Sequence, residues 1–233
     1  MNILAFDTCF DACSVAVGEG LGSASPRIVE FYEPMVKGQA ERLIPMIREA
    51  LAAASLGMAE IDRIAVTSGP GTFTGTRIGV AAARALALAT RCPVVAFSSL
   101  EVIARHPEIR DIDPSRDLLV AMNANRGEAY VQHFAARTRI KLSDPQLLAI
   151  ETAARVGATA PILVVGSAGE VVAAAAKALG RDAIFRFPAM LPRIGAMLAR
   201  AAEIEPLSVS LRPLYLRAPD AKPPTATSLP RVP

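Results

Sequence analysis

A glycine-rich corner decides the fold: Ser68-Gly69-Pro70-Gly71-Thr72-Phe73-Thr74-Gly75-Thr76-Arg77. It follows the apolar run 64–67 and precedes the alanine-rich segment 78–90, which predicts a strand, a tight loop and a helix. The three glycines permit positive φ angles or a close approach of the backbone, and Pro70 stiffens the turn. We expect Thr74 or Thr76 to cap a helix that begins near Arg77.

The same loop has a second interpretation, because exposed amides at a helix N-terminus attract anions. No Gly-Lys-Ser or Gly-Lys-Thr follows, and the spacing is not the dinucleotide Gly-x-Gly-x-x-Gly pattern. We therefore interpret the loop as a structural corner, made by Gly69, Pro70, Gly71, Thr72, Thr74, Gly75 and Arg77.

Length and composition limit the classes of protein that the chain can be. Its 233 residues, 52% of them hydrophobic, suffice for one large domain or two lobes. No run of 18 uncharged apolar residues is present, so no membrane association is expected. Three cysteines without a Cys-x-x-Cys motif indicate reduced thiols and a cytoplasmic protein. The net charge of +3 is scattered and does not by itself indicate nucleic-acid binding.

The order of predicted elements occurs twice. Residues 1–106 and 117–204 each give β-β-β-α-β-α-β-α, without any repetition of sequence. The first copy includes helices over 39–54 and 78–90, and the second includes a strand over 139–148 and a helix over 191–203. We therefore predict an α/β fold with an N-terminal lobe (1–106), a C-terminal lobe (107–217) and a proline-rich, flexible tail (218–233).

Two such lobes resemble the actin, sugar kinase and Hsp70 ATPase superfamily (ASKHA), whose lobes are similar to RNase H. That resemblance implies a phosphate or nucleotide site at the first hairpin and the opposite turn, at Asp7, Thr8, Ser14 and Gly166. The counterpart of Asp7 in the second copy is Asn123, which cannot act as a base. We expect no required cofactor and at most weak binding of ATP.

Three segments resemble the TsaB (YeaZ) family, the accessory subunits in the synthesis of threonylcarbamoyladenosine in bacterial tRNA. They are the start Met1–Val17, which opens with Met-Asn-Ile-Leu-Ala-Phe-Asp-Thr, the glycine-rich corner with its Arg77-Ile78-Gly79 continuation, and Tyr215-Leu-Arg-Ala-Pro-Asp-Ala-Lys222. The resemblance implies a non-catalytic partner and scaffold of a TsaD-like threonylcarbamoyltransferase, joined by a TsaE-like ATPase, that meets tRNA through the complex. Two departures from the family pattern are Asn123-Ala-Asn, where Asp-Ala-Arg is typical, and Gln39, where many members have a His.

The resemblance also implies that the helices over 39–54 and 78–90 form the partner interface and make a homodimer when the chain is alone. Small residues on adjoining turns of the second helix allow a helix to pack closely against it. The interface residues that we predict are Glu41, Leu43, Ile47, Gly79, Ala82, Ala83 and Leu86.

Two other functions stay open. The first is an ASKHA-type ATPase or small-molecule kinase that uses the cleft between the lobes. The second is a glycoprotease-type metallopeptidase, which needs a metal or a nucleophile with a His base. His106 and His133 have no potential ligand three or four residues away, so we predict no metal site and no catalytic residues.

Overall fold

The computed structural model describes residues 1–109, 112–157, 160–208 and 210–217. The tail predicted over 218–233 lies outside the described residues. Ten strands and six α-helices alternate along these ranges: β1 (Ile3–Asp7), β2 (Ala12–Glu19), β3 (Arg27–Pro34), α1 (Gln39–Ala53), β4 (Arg63–Thr67), α2 (Phe73–Thr90), β5 (Val94–Phe97), α3 (Ser99–Ala104), β6 (Asp117–Asn123), β7 (Glu128–Phe134), β8 (Gln146–Ala149), α4 (Ile150–Ala153), β9 (Ile162–Val165), α5 (Gly169–Ala178), β10 (Ala183–Arg186) and α6 (Leu198–Glu203). Short 3₁₀ turns lie at Met58–Glu60, Pro107–Ile109 and Ile194–Met197.

The strands form two five-stranded sheets of the same topology. The orders are β3-β2-β1-β4-β5 and β8-β7-β6-β9-β10. In each sheet the first three strands pair antiparallel, the fourth pairs in parallel with the first, and the fifth pairs in parallel with the fourth. The predicted α/β fold with a repeated β-β-β-α-β-α-β-α order is thus confirmed, whereas the lobe boundary at residues 106 and 107 stays a prediction.

Helices and sheets stack in five layers. Helices α1 and α2 cover the outer face of the first sheet, and α4 and α5 cover the outer face of the second. The layer between the sheets holds α3, the 3₁₀ turn Ile194–Met197 and α6. Leu100 and Ile103 of α3 pack against the second sheet, while Ile194 and Leu198 pack against the first. Each half of the chain therefore supplies a helix that covers the sheet of the other half.

Three boundaries differ from the sequence-based predictions. Helix α2 begins at Phe73 rather than near Arg77, because Thr72 and not Thr74 or Thr76 is the N-cap. The strand predicted over 139–148 is reduced to β8, since Arg139 has a left-handed φ of 53° and Pro145 lacks the amide hydrogen that a ladder needs.

The helix predicted over 191–203 is a 3₁₀ turn followed by the short α6. Side chains of the first sheet capture the amides of its first residues. Ser14 Oγ accepts from the Ile194 amide at 3.1 Å, and Glu30 Oε1 accepts from the Gly195 amide at 3.1 Å. These side-chain bonds satisfy amide donors that a regular first helical turn also leaves unpaired.

Candidate functional site: the glycine corner, the cleft and the outer helix face

The glycine corner is fixed by contact with the end of β1. The Thr72 amide donates to the Cys9 carbonyl at 2.7 Å, and Thr72 Oγ1 accepts from the Gly75 amide at 3.1 Å. Thr8 Oγ1 donates to the Gly75 carbonyl at 2.7 Å. The start of α2 is therefore hydrogen-bonded to the β1–β2 hairpin at two residues, Cys9 and Thr8.

Two of the three corner glycines are required by close approach and one by conformation. A Cβ at Gly71 would overlap the Cys9 backbone, and a Cβ at Gly75 would overlap the Thr8 carbonyl and lie 2.7 Å from Thr72 Oγ1. Only Gly69 has a positive φ, of 118°, at which the Leu214 carbonyl lies 2.7 Å from the site of a Cβ. The cis peptide bond Gly69–Pro70 completes the corner.

A buried carboxyl lies beneath the corner. Asp7 is fully buried, its Oδ1 accepts a hydrogen bond from Thr67 Oγ1, and its Oδ2 has no hydrogen-bond partner among the described residues. Burial raises the pKa of Asp7 to about 6, although hydrogen bonds from Thr67 and Cys9 act in the opposite direction. Burial likewise raises the pKa of the Cys9 thiol well above its ordinary value and that of Cys13 to about 12. Both thiols are free and buried.

The structure places the four residues predicted for phosphate or nucleotide binding in the interior. Thr8 and Ser14 are buried like Asp7, and their hydroxyls are used by Gly75 and Ile194. Gly166 has a φ of 98° and is packed against the Ala121 carbonyl and Met122 Sδ. A large cleft opens between the ends of the two sheets, and none of the four residues lines it. Their role in nucleotide binding therefore stays a prediction.

A cleft of about 980 Å³ opens between the ends of the two sheets. Its first-sheet wall is the glycine corner with Phe73 and Arg77, and its second-sheet wall includes Asn123, Tyr130 and Ser167. Of the predicted corner residues, Pro70, Gly71, Thr72 and Arg77 line it, whereas Gly69 and Gly75 are buried and Thr74 is exposed outside it.

An aromatic–arginine cluster, which sequence reasoning missed, stands on the rim of the cleft. The Phe73 and Tyr215 rings stack with centroids 5.5 Å apart, and the Arg77 guanidinium carbon lies 3.6 Å from the Phe73 centroid. Arg77 Nε donates to the Tyr215 hydroxyl at 2.7 Å. Phe73 is 56% exposed and Tyr215 44%. Their separation in sequence, 142 residues, leaves no local pattern that predicts the contact.

Tyr215 is brought to the rim by a strap, residues 205–208 and 210–217, that returns from α6 across the first sheet. The Leu207 amide donates to the Val94 carbonyl at 2.8 Å, and Leu211 is buried in the core beneath α1 and α2. The Leu214 amide donates to the Ser68 carbonyl at 2.6 Å. The strap ends at Arg217, which is paired with Glu128 of β7.

The residues predicted for a partner interface divide into two groups. Leu43, Ile47, Gly79 and Ala83 are buried in this chain's own core, and Ala82 and Leu86 are partly buried against it. Glu41 is exposed. The periodic apolar positions of both helices thus face the first sheet, and the role of these residues in a partner interface stays a prediction.

The outer side of these helices carries unpartnered apolar residues. Ile44 of α1 is 46% exposed and Leu88 of α2 is 84% exposed. Pro45, Ala81 and Ala85 lie exposed on the same two helices. An exposed apolar face on two adjacent helices is the kind of surface that a protein partner covers.

The two histidines have local structural partners. His106 Nδ1 accepts from the Glu108 amide at 3.3 Å, and burial lowers the pKa of His106. His133 Nε2 lies 2.9 Å from Asp117 Oδ2. Within the described ranges, no three His, Cys, Asp or Glu side chains are grouped so that they could hold a metal ion. Those ranges also contain no helix with the length and apolarity needed to cross a membrane.

Comparison with known proteins identifies the family to which this chain belongs. The family described as "TsaD: tRNA N6-adenosine threonylcarbamoyltransferase" matches residues 34–190. An uncharacterized protein of Mycobacterium tuberculosis H37Rv is 35% identical over 226 residues, covering 95% of this chain and 94% of the relative. The tRNA threonylcarbamoyladenosine biosynthesis protein TsaB of Escherichia coli K12 is 33% identical over 131 residues, covering 56% of this chain and 53% of TsaB.

The solved structure of YeaZ from Pseudomonas aeruginosa superimposes with a TM-score of 0.70 at 27% identity, covering 87% of this chain and 91% of YeaZ. The sequence match to the E. coli and Haemophilus influenzae TsaB proteins spans only about half of their length, at 53% and 52%. The chain therefore belongs to the TsaB (YeaZ) family, within the wider TsaD-like family that its central two thirds match.

Proposed function

We propose that this chain is the non-catalytic partner of a TsaD-like threonylcarbamoyltransferase, which it binds and positions in the cytoplasm for threonylcarbamoyladenosine synthesis in tRNA. A TsaE-like ATPase joins the assembly. The chain meets tRNA through the complex, and the modified adenosine lies beside the anticodon. Without this partner, the chain forms a homodimer through helices α1 and α2. It requires no cofactor for this role.

The observation that carries the proposal is the outer face of α1 and α2. Each helix fills the core with its buried side and leaves one large apolar residue exposed, Ile44 on α1 and Leu88 on α2. Covering such side chains with a partner stabilises a complex by roughly 25 cal/mol for each Å² of apolar surface buried. Membership of the TsaB family supports a TsaD-like protein as that partner.

The absence of catalysis is supported by the two positions at which an ATPase of this fold is expected to carry acids. Asp7 is fully buried and bonded to Thr67, so it does not reach the cleft. Asn123 lines the cleft but has an amide, which neither binds a proton at neutral pH nor attracts a metal ion as a carboxylate does. The alternative of an ATPase or small-molecule kinase rests on the size of the cleft.

Reconstitution tests the proposal. The TsaD-like and TsaE-like proteins and the enzyme that supplies threonylcarbamoyl-adenylate, all from the same organism, are incubated with tRNA, with or without this chain. We expect modified adenosine only when the chain is present, and no ATP hydrolysis by the chain alone. Modification that proceeds equally well without it would refute the partner role. Hydrolysis that follows the purified chain and is lost in Asp7→Ala would favour the kinase alternative.

A further inference from the structure

A small pocket of about 330 Å³ lies beside the large cleft and shares with it the wall formed by residues 188–191. Three parts of the chain enclose this side pocket: Tyr32 of β3, His106 and Glu108 after α3, and the segment 187–193 after β10. Ligand-binding pockets have volumes of roughly 300 to 1,000 Å³. The side pocket is at the lower end of this range, so it has room for a small molecule.

His106 supplies a hydrogen-bond donor to the side pocket. Its Nδ1 accepts from the Glu108 amide at 3.3 Å, so the proton of the neutral ring is on Nε2. Burial lowers the pKa of His106, which keeps the ring neutral at pH 7. The residue is only 6% exposed, and its Nε2 has no hydrogen-bond partner among the described residues. Because the ring lines the pocket and Nε2 is not sealed from solvent, this N–H opens into the pocket.

Arg193 supplies a second donor group. Its guanidinium carbon lies 5.0 Å from the centroid of the Tyr32 ring, which holds the side chain at the wall of the pocket. One of its terminal nitrogens lies 3.4 Å from Glu30 Oε2, and the side chain is 41% exposed. This single, long contact leaves N–H groups of the guanidinium available. A hydrogen-bond acceptor in the side pocket is therefore met by two donor groups, one from His106 and one from Arg193.

The charges around the side pocket select the class of ligand. Glu30 balances Arg193, and the exposed Glu108 adds a carboxylate, so the surroundings have a net negative charge. A simple anion would increase this charge, whereas a simple cation would leave both donor groups without an acceptor. A molecule with both a carboxylate and an ammonium group satisfies the two donors and the Glu108 carboxylate together. An α-amino acid is a small molecule of this kind.

The rest of the lining is apolar and defines the side chain of the ligand. This apolar wall consists of Phe187, Pro188, Ala189, Met190 and Leu191. An apolar group that packs on it leaves water, which favours binding by roughly the area that is buried. Phe187 has a left-handed φ of 58°, which is rare for a large side chain. Residues in such conformations occur preferentially at ligand-binding sites.

We propose that the side pocket binds a free α-amino acid with an apolar side chain. Its carboxylate meets the Nε2–H of His106 and the guanidinium of Arg193, its ammonium group meets Glu108, and its side chain packs on the apolar wall. For a molecule of about nine non-hydrogen atoms, such as L-leucine, we expect a Kd on the order of 1 mM. This inference goes beyond the proposed partner role and does not depend on it.

The imidazole ¹⁵N resonances of the full chain test the proposal, because the chain contains only two histidines. L-leucine is titrated into the labelled protein at pH 7, and His106→Asn identifies the signals of His106. We expect leucine to shift these signals saturably. The signals of His133, which is paired with Asp117, should stay in place as an internal control. The second probe is 4-methylpentanoate, which is leucine without its amino group, and we expect it to bind several-fold more weakly.

Glu108→Gln locates the ammonium group of the ligand. Because Glu108 is exposed, this variant should fold, and it should weaken leucine binding by about twofold to fivefold, as the loss of an exposed ion pair does. Binding of 4-methylpentanoate should not weaken. Glu151→Gln is the matched control, since Glu151 is an exposed acid of α4 that does not line the pocket, and we expect no change in leucine binding.

Three results would overturn the inference. The first is that the His106 signals do not move at leucine concentrations well above the expected Kd, or that those of His133 move equally. The second is that 4-methylpentanoate binds the wild-type chain as tightly as leucine, since the site would then recognise only a carboxylate. The third is that Glu108→Gln and Glu151→Gln bind leucine equally well.

Discussion

Gly75→Ala tests whether close approach of the corner to the β1–β2 hairpin holds α2 in place. The new Cβ would overlap the Thr8 carbonyl and lie 2.7 Å from Thr72 Oγ1, so the first turn of the helix must move outward. That movement would break the 2.7 Å hydrogen bond from Thr8 Oγ1 to the Gly75 carbonyl and weaken the cap at Thr72.

The expected cost follows from these contacts. Overpacking costs about 1 to 3 kcal/mol, and loss of the hydrogen bond and of the cap costs about 1 kcal/mol each. The higher helix propensity of alanine offsets about 1 kcal/mol of this. The net loss of unfolding free energy is therefore about 2 to 4 kcal/mol. In a chain of this size that corresponds to a fall in Tm of about 5 to 15 °C.

Urea and thermal unfolding followed by circular dichroism measure the loss, with Gly57→Ala as the control. Gly57 has an ordinary φ of −89°, and a Cβ there would meet only Glu60 Oε2, at 3.5 Å. We expect this control to stay within about 0.5 kcal/mol of the wild type. If Gly75→Ala melts together with Gly57→Ala, the corner yields without cost and the reasoning from overlap is wrong.

Three further outcomes are expected. The pKa of Asp7 is about 6 in the fold and 3.8 as the ordinary value, so the fold favours the protonated carboxyl. The unfolding free energy should therefore fall by about 2 kcal/mol as pH rises from 4 to 6, and Asp7→Asn should flatten that slope in urea titrations. Thr72→Val should lower the unfolding free energy by about 1 kcal/mol through loss of the cap, whereas Thr74→Val should leave it and tRNA modification nearly unchanged; equal effects would argue against the cap. Ala83→Arg should prevent folding, because Ala83 is fully buried. Ala85→Arg should fold, because Ala85 is exposed, and should lose binding to the TsaD-like protein; binding retained by this variant would place the interface elsewhere.

Much of the topology could be predicted from the sequence because most strands and helices are marked by local patterns. Apolar runs such as 64–67 and 162–165 identify buried strands wherever they lie in the chain. The start of α2 was wrong by four residues because three threonines offer equivalent capping groups. Only the approach of Cys9 and Thr8 selects Thr72.

The surface was harder to predict than the core for a physical reason. Helical periodicity reports the side of a helix that is buried, and in α1 this is the side of Leu43 and Ile47. Ile44 fits the same periodicity, seven residues before the buried Leu51, and yet is 46% exposed, so the pattern alone does not mark the edge of the buried side. The cluster of Phe73 and Tyr215 was missed because two distant segments meet there.

The layer between the sheets has a consequence for the order in which the chain folds during synthesis. The inner face of the first sheet, with Ile3, Ala65 and Phe97, is covered by Ile194 and Leu198. A ribosome delivers those covering residues about 100 residues after β5, or about 5 to 20 seconds later at ordinary bacterial elongation rates. During that interval the nascent first sheet has an apolar face without its native cover. The growing polypeptide therefore presents a binding site for chaperones that the finished protein no longer displays.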